Sequence, residues 1–146
     1  MVLFMKKNFF LVQIILIFFL FSKSLHASNS IHFDEGEYLF DKKKFDESKI
    51  FFERDLIFNP QSAKSYLYLA KIFNIKENTE EENINLKNVL LLEPNNDEAI
   101  YMLALIKINL SDYKKANELI EKFDLVCKKL CDKSEELKSK LDKLKP

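Results

Sequence analysis

Two prolines set 34 residues apart constrain this chain more than anything else in it. Pro60 stands in ERDLIFNPQS and Pro94 in LLLEPNN. In both, an apolar run gives way to Asn or Glu and then to the proline. Proline lacks an N–H and drives the residue before it out of helical geometry, so each one marks a helix end. Two such stops at a fixed interval pose the question of a repeating unit, and a repeat changes the whole reading of a fold.

Aligned on the prolines, the chain divides into windows 29–62, 63–96 and 97–130. The eighth residue of each is Gly36, Ala70 and Ala104, always small; the seventeenth is Phe45, Thr79 and Tyr113; the twenty-fourth is Phe52, Leu86 and Ile120. In the second window Tyr66, Leu69, Ala70 and Phe73 follow the i, i+3, i+4, i+7 spacing of one helix face. The third window repeats it with Ile100, Leu103 and Ala104, widened by Leu105 and Ile108. Small eighth residues let the two helices of a hairpin approach closely. Thr79-Glu80-Glu81-Glu82 has capping-box spacing and puts acids at the positive end of a helix, which predicts a helix start capped by Thr79. In the tail, Leu137, Leu141 and Leu144 at i, i+4, i+7 predict a terminal helix within 131–146, laying one leucine stripe on the third window. A single Gly and three Pro leave too few turn residues for a β-sandwich. The expected class is all-α.

These windows resemble the tetratricopeptide repeat family, whose 34-residue helix–turn–helix unit has a small eighth residue, an aromatic near the seventeenth and a proline near the thirty-second. The resemblance covers residues 29–130. It implies an α-solenoid of three helix–turn–helix repeats with a C-terminal capping helix, in which the first helix of each unit lines a concave groove holding a segment of a partner protein. Carried over position by position, the groove residues are Phe33, Glu37, Lys64, Leu67, Tyr68, Lys71, Tyr101, Met102 and Leu105. The Lys/Asn/Arg clamp of the chaperone-binding members is absent from these positions. An aromatic and aliphatic lining suits an apolar partner segment held by buried area. The chain departs from the family at positions twenty and twenty-seven, usually small, where Glu82 and Asp55 stand. Their carboxylates are expected to reach the rim, or their helices to rotate.

Residues 1–27 have a different character. Lys6 and Lys7 precede the uncharged run Phe9–Phe21, and small polar residues follow. This is the order of a secretory signal peptide, with cleavage expected after Ala27. A run of thirteen residues falls short of the roughly 20 that cross a bilayer as a helix, although an uncleaved anchor stays open. The expected location is periplasmic or secreted. Cleavage removes Lys6, Lys7 and Lys23 and leaves 20 basic against 23 acidic residues, a poor match for nucleic acid. Membrane contact is expected only through this N-terminal segment.

Cys127 and Cys131 are the only cysteines. In an oxidising compartment such a pair forms a disulfide, which is easier at a joint between helices than on one continuous helix. Free or intermolecular thiols and redox activity are the alternatives; the spacing is one residue longer than C-x-x-C. His26 leaves with the leader and His32 stands alone, so no metal site is expected. One glycine cannot build a phosphate-cradling loop, and no hydrolase or dinucleotide signature appears. The expectation is therefore a non-enzymatic exported adaptor without cofactor, binding another protein or peptide segment and assisting assembly of an envelope complex. A small thiol–disulfide protein is the rival, and a homo-oligomer stays open.

Overall fold

The computed structural model describes residues 30–144. The expected leader and its expected cleavage site lie outside them. The helices are α1 (Ile31–Asp41), α2 (Phe45–Phe58), α3 (Ala63–Ile75), α4 (Thr79–Leu92), α5 (Asp97–Asn109), α6 (Tyr113–Val126) and α7 (Ser134–Leu144), with a short 3-10 turn at Cys131–Lys133 before the last. The tightest partners are α1 with α2, α3 with α4 and α5 with α6; each hairpin then packs on the next, and α7 lies against both α5 and α6. The described residues form an all-α stack of hairpins with a capping helix.

The hairpin turns show why the period is kept. Lys43, Glu77 and Ser111, each 34 residues from the next, have φ of 59°, 57° and 57°. The N–H groups of the following residues, Lys44, Asn78 and Asp112, reach back to the carbonyls of Leu39, Phe73 and Lys107 at 3.0, 2.9 and 2.9 Å. That is the Schellman closure of a helix C-terminus. It seats the next residue as the cap of the second helix. Asn78 accepts from the Glu81 N–H at 3.2 Å, and Asp112 from the Lys115 N–H at 3.2 Å. The cap of α4 is thus Asn78 and not Thr79, because the turn has already placed an amide side chain at the position a cap must occupy. Between hairpins, Pro60 and Pro94 follow the helix ends, and Ser62 and Asn96 cap α3 and α5.

Small eighth residues sit buried at the crossings: Gly36, Ala70 and Ala104. The core is aromatic at the start, with Phe33 and Phe52 above Leu69 and Ile72, and aliphatic further on, from Leu86 and Val89 to Ile120 and Phe123. Fully burying a side chain of this size stabilises by about 1.5–3 kcal/mol. Leu137 and Leu141 join this core, but Leu144 is exposed, since the stripe outlasts the surface beneath it.

Of the two alternatives for Asp55 and Glu82, the rim is excluded, because both carboxylates are inside. Asp55 is 1% exposed and Glu82 4%. Asp55 is tolerated because it is saturated with donors: the hydroxyls of Ser30 and Ser65, and the Asn59 amide at 2.8 Å. It ties α2 to the first turns of α1 and α3. Glu82 accepts from the Asn74 amide at 3.0 Å.

Candidate interaction face

The first helix of every hairpin contributes to one face, where polar side chains link neighbour to neighbour. The Tyr68 hydroxyl on α3 donates to Glu37 on α1 at 2.6 Å. Lys71 on α3 pairs with Glu98 on α5 at 2.9 Å. The Tyr101 hydroxyl on α5 donates to Glu136 on α7 at 3.3 Å. Burial, and then the neighbouring Glu37, push the Tyr68 phenol well above its usual range. Burial and Glu136 push Tyr101 up likewise. Both phenols therefore stay protonated and keep donating at any physiological pH.

Aromatic geometry fixes the α1–α3 part. Tyr68 stacks on Phe52 with centroids 4.8 Å apart and meets Phe33 and Phe40 edge-on at 5.7 and 5.1 Å. Lys71 stands 4.9 Å above the Tyr68 ring and Lys64 5.6 Å from that of Phe33. Phe33 itself is buried in the core below this face, while Leu67 is half-buried against the core.

Two cavities open beside this face. Tyr101, Met102 and Leu105 come together in one of about 490 Å³, with Asn74, Glu82 and Lys140 around them. Its lining mixes these apolar side chains and Ile106 with polar ones from α3, α4 and α7. Burial pushes Glu82 above the ordinary carboxylate range despite the opposing bond from Asn74. The other, about 570 Å³, lies where α1 to α3 meet, and Phe33 and Lys64 line it with Phe58 and Ser62. Glu37, Leu67, Tyr68 and Lys71 line neither. Asn74 and Lys140 were missed from the sequence. Asn74 holds the twelfth position of its unit, a groove position by the family pattern, so its signal was present. Lys140 lies beyond the repeats and had none.

Cys127 immediately follows α6 and Cys131 opens the 3-10 turn, so both sit in the hinge before α7. Their Cα atoms are 5.3 Å apart, within disulfide range. The hinge is clasped from outside, because the Lys128 and Lys129 N–H groups both donate to Asp97 at 2.8 Å. Burial alone raises the Asp97 pKa, but these amides outweigh it and hold the carboxyl below its usual range. Among the described residues no cluster of His, Cys, Asp and Glu has the makings of a metal site.

Successive hairpins of 34-residue period, packed in register with their first helices on one face, define a tetratricopeptide-type α-solenoid fold. Among solved structures the chain is similar to the TPR domain of Sgt2 from Aspergillus fumigatus, with a TM-score of 0.59 and 18% identity, over 78% of this chain and 74% of that one. No family model and no curated protein matches the sequence.

Proposed function

We propose that this protein is an exported adaptor that holds an apolar segment of another envelope protein against the first-helix face, and so assists assembly of an envelope complex. The observation that supports this reading is the meeting of Tyr101, Met102 and Leu105 in one cavity of about 490 Å³ beside the first-helix face. Glu37, Lys64, Tyr68 and Lys71 extend that surface toward the first hairpin, with aromatic rings and charges that suit a mixed peptide. Export rests on the basic, apolar and small-residue order of residues 1–27, with the chain starting at Ser28 after cleavage. The adjacent cysteines act as a structural crosslink of the α6–α7 hinge, closed in the oxidising compartment.

The test is capture of the partner from native cells by crosslinking and mass spectrometry, with wild type compared to a Met102→Glu, Leu105→Glu variant. Retained helicity with lost capture is expected. Equal capture by both proteins contradicts the groove.

A further inference from the structure

Among the described residues, the first hairpin leaves open the face on which, in the later hairpins, a preceding hairpin packs. On α1 this face is the i, i+4, i+7 stripe Ile31, Glu35 and Tyr38, with Lys42 one turn further on; beside it α2 presents Glu47, Phe51, Arg54 and Phe58 at the same spacing. Moving 34 residues on from Ile31, Glu35 and Tyr38 reaches Ser65, Leu69 and Ile72, and a further 34 reaches Ala99, Leu103 and Ile106. All six are buried. In the first hairpin Ile31 is 80% exposed, Phe58 69% and Tyr38 56%. His32 stacks on Phe58 at 5.5 Å and lies 6.4 Å from Phe51, and Arg54 stands 5.5 Å from the Phe51 ring, which joins the two stripes into one surface. The end units of such stacks need a polar outer face for solubility. The other end has one, since α7 buries Leu137 and Leu141 and turns its charged side outward. This end does not.

We propose that a second copy of this chain covers the face, two first hairpins meeting about a two-fold axis as a four-helix interface. Charge favours a copy: the two stripes carry two acids, Glu35 and Glu47, and two bases, Lys42 and Arg54, so identical faces carry no net charge and do not repel. Size sets the strength. Two adjacent helices about 10 Å wide and roughly 20 Å long give a footprint of about 400 Å² per copy, or about 800 Å² for the pair, below the standard size of a stable interface and in the range of weak, transient ones. The dimer is accordingly reversible, with a dissociation constant in roughly the micromolar range. The proposal rests on the export reading above, because cleavage after Ala27 leaves only Ser28, Asn29 and Ser30 ahead of Ile31.

Sedimentation of the protein recovered from the periplasm of an expression host, its N-terminus fixed by intact mass, tests this. Wild type and a Leu125→Glu control, altered at an exposed α6 position, are expected to dimerise at tens of micromolar. Ile31→Glu with Phe58→Glu is expected to weaken association at least about tenfold at unchanged helicity. Arg54→Glu, a milder change at an exposed site, also weakens it, and adding Glu35→Arg restores it. A processed chain that stays monomeric overturns the dimer alone. A dimer indifferent to all these changes overturns the assigned face. A retained leader on a monomer overturns both the dimer and the cleavage; a retained leader on a dimer that the variants dissolve overturns only the cleavage.

Discussion

The Phe52 ring occupies the space a side chain at Gly36 would need: a Cβ built on Gly36 meets the ring at 2.8 and 2.9 Å. Phe52 is fully buried and stacked on Tyr68, so it has nowhere to retreat. Ser48 adds to the closeness by donating its hydroxyl to the Gly36 carbonyl at 2.8 Å. Glycine usually weakens a helix by about 0.5–1 kcal/mol relative to alanine. Here the clash outweighs that gain. Gly36→Ala is expected to destabilise by about 1–3 kcal/mol in urea unfolding, the range for overpacking a filled core. An unchanged or raised midpoint would show that α1 and α2 do not cross this closely.

The hairpin turns offer the opposite experiment. Ser111 holds a left-handed backbone that costs a non-glycine residue about 1–2 kcal/mol, part of which glycine returns as unfolded-chain entropy. Ser111→Gly is expected to raise stability by about 0.5–1 kcal/mol, a rise of a few degrees in Tm. A fall would mean that the turn is not left-handed in solution.

The two buried carboxylates should give opposite pH signatures. Glu82 has a native pKa raised by burial, so its stability contribution is complete below the unfolded value near 4.5 and is lost as pH rises through the native value. Glu82→Gln is expected to equal wild type near pH 4 and to exceed it at pH 7, where the wild-type carboxylate is charged and desolvated. Burial also acts to raise Asp55, but the Ser30, Ser65 and Asn59 donors overcome it and the native pKa falls below 3.8. Its contribution is present above pH 3.8 and lost as pH falls through the native value. Asp55→Asn is expected to cost about 1–3 kcal/mol at pH 7 and less in stronger acid. Urea midpoints across pH 3 to 7 decide both.

Asp97 links the cap to the start of α5. Asp97→Ala leaves two hinge N–H groups without their acceptor and is expected to cost about 1–2 kcal/mol. Amide exchange in α7 should accelerate while α1 to α4 stay protected. Uniform acceleration would show that the clasp stabilises the whole stack and not the cap.

The stacking of hairpins was legible because it is written in periodic residues: the prolines, the small eighth positions and the apolar stripes. What escaped depends on neighbours that no period reveals. Lys43, Glu77 and Ser111 sit where a glycine is usual, and nothing in a lysine or glutamate announces a left-handed turn; only their spacing does. Asp55 read as a misfit because its hydroxyl partners, Ser30 and Ser65, lie 25 and 10 residues away. Among the site residues, the half-buried Tyr68 and Tyr101 were assigned to the first-helix face by position alone. That Tyr68 is fastened to Glu37, and Tyr101 to Glu136, required the packing of three hairpins and the cap.

The central claim is that the first-helix face, and not the opposite side, holds a partner. A photo-crosslinking residue placed at Met102 in the native cell, against one at the 86% exposed Leu125, measures this directly. The account predicts that position 102 captures a discrete partner whose linked peptide is rich in apolar residues, and that position 125 captures none of it. Capture of the same partner from position 125 alone, or from both positions equally, would contradict it.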